Sequence, residues 1–114
     1  MHEVSIALSL LDIAEENLKK AGGRKINSIR VRIGRASSVV PSALSFAFEA
    51  VKAGTSASEA GLIIDEVPLG FACSACKGAF ETEEPYALRC PSCGSPSLTV
   101  KSGYELEVVE LDVE

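Results

Sequence analysis

Apolar residues recur along the first part of the chain at steps of three and four. Ile6, Ala7, Leu10, Leu11, Ala14 and Leu18 fall on one face of a helix over residues 4–21. Glu15 with Lys19 and Glu16 with Lys20 are favourable pairs one turn apart on its other face. Gly22 and Gly23 stop it. The period then changes to two. In INSIRVRIG, 26–34, Ile29, Val31 and Ile33 alternate with Arg30 and Arg32, the pattern of a half-buried strand. Pro41 suits the first turn of a second helix, where a missing N–H costs nothing. Leu44, Ala47, Phe48 and Val51 supply that helix's apolar stripe over 41–53, and Gly54 ends it. Residues 55–60 are a small-residue connector, and LIIDEV, 62–67, reads as a second strand.

Apolar periodicity fades over residues 71–98, which hold all four Cys and three of the five Pro. A stretch this poor in core residues needs a staple to fold. YELEVVELDVE, 104–114, then reads as a third strand whose phase slips near Val108-Val109, the mark of a bulge. The fold class expected is α+β. It comprises a small sheet of about three strands with two helices, residues 1–70 with 99–114, and an inserted zinc-ribbon-like module over 71–98. Arg30 and Arg32 on one strand and Glu105 and Glu107 on another suggest neighbouring strands joined by ion pairs.

Composition narrows the class. A chain of 114 residues is long enough to bury a real core. With aromatics at 5% and no Trp, that core rests on Leu, Ile, Val and Ala. No run of about 18 apolar residues marks a membrane span. Glu3, Asp12, Glu15 and Glu16 break any signal-peptide pattern, so a cytoplasmic address is expected. Net charge is −5, unevenly spread. Eight basic and eight acidic groups cancel over 1–70, whereas 99–114 sets Lys101 against five acidic residues. This is not the basic excess of a phosphate binder.

In a reducing compartment, cysteines serve as ligands or catalysts more often than as disulfides. Cys73-Ser-Ala-Cys76 and Cys90-Pro-Ser-Cys93 are two CxxC pairs with 13 residues between them. Two intervening residues let a tight turn aim both sulfurs at one point, and two such knuckles close a tetrahedron around Zn²⁺. Gly78 and Gly94 follow the pairs and are expected to take the positive φ these turns need. A closed four-thiolate shell leaves no position for water, so the zinc is structural. Its net negative charge argues against nucleic acid. Iron fits the same spacing. A redox dithiol would use one CxxC at a helix start in a βαβ unit, which is absent.

The one histidine, His2, stands behind Met1. By position alone it would be idle, since chain termini are usually loose. Yet the Met1 amine, the His2 amide and the His2 imidazole form adjoining five- and six-membered chelate rings. Glu3 adds a backbone nitrogen and a carboxylate. Nitrogen-rich square-planar sets favour Ni²⁺ or Cu²⁺.

Met1-His2-Glu3, the amphipathic helix, the IRVRIG strand, the PSALSFAFE helix and the CxxC…CPxC pairs together closely resemble the HypA/HybF family. These are nickel metallochaperones of NiFe-hydrogenase maturation, and the resemblance spans essentially the whole chain. It implies nickel held by Met1, His2 and Glu3, and zinc held by Cys73, Cys76, Cys90 and Cys93. It implies a HypB-type GTPase as partner and delivery to the hydrogenase large subunit, with urease maturation also served in some organisms. Two departures stand out. Some relatives carry an acidic side chain before the second helix, where this chain has Ser37-Ser38-Val39-Val40. Some carry a histidine beside the zinc cysteines, and this chain has none.

The function expected is that of a non-enzymatic carrier: Ni²⁺ is its cargo and Zn²⁺ its staple. Its state would be a monomer or a weak, domain-swapped homodimer. The exposed face of the first helix, with Glu15, Glu16, Lys19 and Lys20, is a candidate docking surface. The alternative is a zinc-ribbon adaptor binding nucleic acid or protein without nickel transfer. It rests on the basic cluster Lys19, Lys20, Arg24, Lys25, Arg30, Arg32 and Arg35, which lacks aromatic stacking platforms. An enzyme would need a nucleophile–base–orienter set, and none is visible.

Overall fold

In the computed structural model, residues 3–83 and 89–114 are described. Helix α1 spans Glu3–Lys20 and buries Ala7, Leu10, Leu11, Ala14 and Leu18, the stripe expected from its period. Ile6 is only partly buried at the margin of that stripe. The helix ends as its pattern demands. Gly22, at φ +69°, donates its N–H to the Lys19 carbonyl, and Gly23 donates to the Leu18 carbonyl. These two bonds satisfy the last carbonyls in a Schellman arrangement.

Strand β1 (Ile26–Gly34) is the centre of the first sheet, and Ile26, Ile29, Val31 and Ile33 are all but inaccessible. Helix α2 (Pro41–Val51) crosses back over the sheet and buries Leu44, Ala47 and Phe48. Strand β2 (Gly61–Val67) then pairs parallel to β1, as a helical crossover requires. The chain returns much later as β6 (Leu106–Val113), antiparallel on the other side of β1. The sheet order is therefore β2-β1-β6. One continuous apolar core, running from Ala7 to Ala60 in sequence, lies between this sheet and the two helices.

The expected bulge is present. Arg30 pairs with Glu110 and Val31 with Val108, so Val109 is the extra residue. It resets the phase of β6 and decides the ion pairs. Arg32 does pair with Glu107, at 3.3 Å. Arg30 instead turns to β2, where one guanidinium nitrogen donates to both Asp65 carboxylate oxygens at 3.0 and 2.9 Å. Glu105 lies before the paired stretch, and its carboxylate accepts the Gly103 N–H at 2.8 Å. The two strands are neighbours as expected and Arg32–Glu107 joins them, whereas the expected roles of Arg30 and Glu105 in such pairs are corrected. A sequence shows which side chains face outward, but not that a second, parallel neighbour offers a nearer carboxylate.

Between β2 and β6 lies a second sheet that periodicity did not announce. Its strands are β3 (Leu69–Cys73), β4 (Ala79–Thr82) and β5 (Leu98–Ser102), ordered β4-β3-β5 and antiparallel throughout. It buries little: Leu69, Gly70, Phe71 and Cys73 of β3 are closed, with Cys90 in the turn beside it, and Phe71 stacks on Phe80 at 5.4 Å.

The two sheets meet at a tight crossing. The Gly34 N–H donates to the Glu105 carbonyl, Arg35 to Val67 and Ala36 to Gly103. A Cβ on Gly34 would strike the Gly103 and Tyr104 backbone. Gly103, at φ +117°, tolerates neither strain nor a side chain, because a Cβ there would meet Leu69. No helix among the described residues is long and apolar enough to cross a membrane.

Candidate metal centre

The four cysteines come together as their spacing requires. Cys73 is the last residue of β3, and the turn after it presents Cys76. Cys90 and Cys93 occupy a second turn before β5. The two turns repeat one hydrogen-bond plan. Lys77 N–H donates to the Cys73 carbonyl at 3.0 Å, and Gly94 N–H to the Cys90 carbonyl at 2.8 Å. Cys73 N–H donates to Gly78, and Cys90 N–H to Ser95, at 2.8 and 2.9 Å. Ser74 N–H donates to the Ser97 carbonyl at 3.0 Å and ties one turn to the strand following the other.

This repetition corrects one expectation. The residue just after each CxxC takes the left-handed conformation, and that residue is Lys77 in the first turn and Gly94 in the second. Gly78 is one position too late, and its conformation is ordinary. The first knuckle thus holds a lysine at φ +65° where the second has a glycine, a strain of about 1 kcal/mol for a residue with a Cβ.

The sulfurs all lie within 4.8 Å of one another. Across the knuckles, Cys73 to Cys93 is 3.6 Å and Cys76 to Cys90 is 3.7 Å. A tetrahedron with Zn–S bonds of about 2.3 Å has edges of roughly 3.8 Å. The spacing therefore fits a single tetrahedral ion, and it is far from the ~2.05 Å of a disulfide. Cys73 and Cys90 are buried, whereas Cys76 and Cys93 face solvent.

The turn backbone already favours thiolates at the inner positions. The Cys76 N–H, working against burial and helped by the Ala75 N–H and the Cys93 and Cys76 thiols, draws the Cys73 thiol down to about 6. The N–H groups of Cys93 and Ser92 lower Cys90 in the same way. At Cys93 the Ser95 N–H also pulls downward. There the Cys73 thiol, burial and the Cys90 and Cys76 thiols outweigh it and push Cys93 up to about 11. Four thiolates cannot share this volume without a cation. A dication that takes all four is the natural partner of such a set.

Of the expected nickel ligands, Met1 and His2 lie outside the described residues. Glu3 opens α1, and its carboxylate accepts the Val40 N–H at 3.3 Å. The loop that offers no carboxylate of its own is thus met by one from α1, a contact to which no local sequence pattern points. Nearby, α1 and α2 flank a groove of about 520 Å³ walled by Val4, Ala43, Phe46 and Ala50, with Phe46 79% exposed.

Five of the seven residues in the basic cluster behind the adaptor alternative lie beside carboxylates. Lys20 pairs with Glu16, Lys25 with Glu59, Arg30 with Asp65, Arg32 with Glu107, and Arg35 with Glu66 and Glu83. The Lys25–Glu59 contact is 2.7 Å, and its hydrogen bond and charge lower the Glu59 carboxyl below its ordinary value.

Comparison with known proteins places these features in a family. A family model described as hydrogenase/urease nickel incorporation, metallochaperone, hypA matches residues 1–113. The hydrogenase maturation factor HypA of Geobacter sulfurreducens is 44% identical over 114 residues, covering all of both chains. That of Roseiflexus sp. is 40% identical over 114 residues, covering all of this chain and 93% of the relative. The solution structure of the Ni metallochaperone HypA from Helicobacter pylori superposes with a TM-score of 0.69 at 28% identity, over 99% of this chain and 97% of that one. A second HypA solution structure superposes at 0.74, also at 28% identity, over 100% and 97%.

Proposed function

The chain belongs to the HypA family of nickel-incorporation metallochaperones, proteins that carry metal rather than catalyse a reaction. From that premise we propose that it binds Ni²⁺ as cargo at Met1, His2 and Glu3, and carries Zn²⁺ at Cys73, Cys76, Cys90 and Cys93. It delivers the nickel in the cytoplasm to the maturing large subunit of a NiFe hydrogenase, with a HypB-type GTPase as partner. Urease maturation is a second destination within the same chemistry.

One observation carries the division of labour. The cysteine cluster is a closed, four-sulfur cage built by two matched turns. A cage of that kind suits an ion that stays, and it leaves no open position for exchange. Cargo needs donors that release. An amine, an amide and an imidazole at consecutive residues bind as they lose protons and let go as they regain them, so affinity falls as pH falls. The sole histidine of the sequence stands at position 2, and the family match begins at residue 1.

When bound, zinc supplies a structural cross-link between the two turns. The chain's own residues do the rest: the turn N–H groups stabilise the inner thiolates, and Ser74 holds the knuckles in register. Calorimetric Ni²⁺ titration tests the cargo site. Wild type should bind one Ni²⁺. His2→Ala should weaken binding at least tenfold, because it removes the six-membered chelate ring that the imidazole closes. Equal binding by the two proteins contradicts the terminal site.

A further inference from the structure

We propose that the Glu3 carboxylate is a positioning group and not a nickel ligand: it caps the N-terminus of α2 and so fixes the start of α1, one residue from His2, against the second helix. The proposal rests on the nickel-binding reading above and deepens it.

Helix α2 begins without a cap of its own. Its N-cap residue, Val40, is extended (φ −90°, ψ 112°) and carries no side-chain oxygen to turn back on the first N–H groups. Pro41 has no N–H to offer, and no acidic residue stands in the first turn of α2. That end of the helix therefore carries exposed donors and a partial positive charge. The carboxylate that meets it comes from 37 residues away in sequence. Glu3 Oε2 accepts the Val40 N–H at 3.3 Å, and Glu3 shares a groove wall with Ser42 and Ala43, the next residues of the same turn. A carboxylate in that position satisfies a donor and opposes the dipole at once.

Nickel in a nitrogen-rich square-planar set does not require the carboxylate, since amine, amide and imidazole are its preferred donors. Recruiting the Glu3 oxygen to the metal would strip α2 of its cap. Leaving it on Val40 restrains residue 3 and lowers the ordering cost of closing a chelate at the residues before it. The Ser37–Val40 loop, which brings no carboxylate to a metal, then contributes through a backbone N–H.

Glu3→Gln and Glu3→Ala separate the two roles. Gln keeps an oxygen that can accept the Val40 N–H; Ala does not. In metal-free protein, amide exchange at Val40 should quicken in Glu3→Ala and stay near wild type in Glu3→Gln. In Ni²⁺ titration, Glu3→Ala should bind about fivefold more weakly, the effect of one ordinary hydrogen bond. Glu3→Gln should stay within about twofold, and the visible absorption of bound Ni²⁺ should be the same in all three proteins. Equal losses in the Gln and Ala variants, or a changed nickel spectrum in either, overturn the proposal. So does a Val40 amide indifferent to Glu3→Ala. If instead His2→Ala leaves nickel binding intact, the terminal-site reading fails, while the Val40 exchange still reports on the cap.

Discussion

The two sheets of this molecule are held together by different physics. The first, β2-β1-β6, lies under two helices on a continuous apolar core from Ala7 to Ala60, in which Phe48, Ile26, Ile29 and Leu44 are fully buried. The second, β4-β3-β5, buries little beyond Leu69, Phe71 and two of the cysteines that gather beside it. Burial of apolar area stabilises the first. The second has too little of it and depends on a cross-link. Under the proposed function the contrast extends to the metals: the four-sulfur cage that stands in for a core would keep its ion, and the ion to be passed on would be held by donors outside that cage.

Opposite substitutions should break this contrast most sharply. Cys73→Ser should release zinc and abolish amide protection in β3 and β5, since structural zinc sites supply roughly 10–16 kcal/mol of folding free energy in small modules. Amide protection of β1 and α1 should persist. Phe48→Ala should do the reverse. It should destabilise the first sheet by about 3–5 kcal/mol in urea unfolding and leave zinc content at one per chain. If either substitution melts both sheets together, the contrast is wrong.

A smaller effect follows from the lowered thiol of Cys73. Its thiolate is favoured in the folded chain, so its stabilising contribution is present above the ordinary thiol value and is lost as pH falls through about 6. Zinc retention by the folded protein should therefore hold near pH 7.5 and fall as pH drops through about 6, measured by transfer to a chromogenic chelator. Retention already falling well above pH 7 would show that the turn N–H groups do not stabilise the inner thiolate.

The smallest expected effect separates the two knuckles. Gly94→Ala should weaken zinc retention by about 1 kcal/mol, because it puts a Cβ at φ +74°. Lys77→Gly should strengthen it by up to about that amount, since the lysine already bears this strain. Competition with a chromogenic chelator measures both. A loss in Lys77→Gly would mean that its side chain holds the turn by contacts of its own.

What could be read from the residues follows the same division. Where burial drives folding it leaves a period in the sequence, so both helices, β1 and the β6 bulge were legible. So was the cysteine cage, because metal geometry dictates ligand spacing. The strands β3, β4 and β5 were not. They are four or five residues long and are held by turns and sulfur rather than by an apolar face, so no alternation marks them. The partner of Arg30 was hidden because it depends on the parallel register of β1 with β2. The Glu3–Val40 contact was hidden because it joins two helix ends far apart in sequence. The left-handed residue after Cys76 is Lys77 rather than Gly78, because position in the turn and not residue type decides which backbone bends that way.

The central claim is that one metal is resident and the other is cargo, at separate places. Wild type and His2→Ala, each equilibrated with Zn²⁺ and Ni²⁺ together and then desalted, can be assayed for both metals by mass spectrometry. The account predicts one zinc and one nickel per chain in wild type, and one zinc with no nickel in His2→Ala. Nickel retained in the variant, or nickel gained at the expense of zinc, would contradict it.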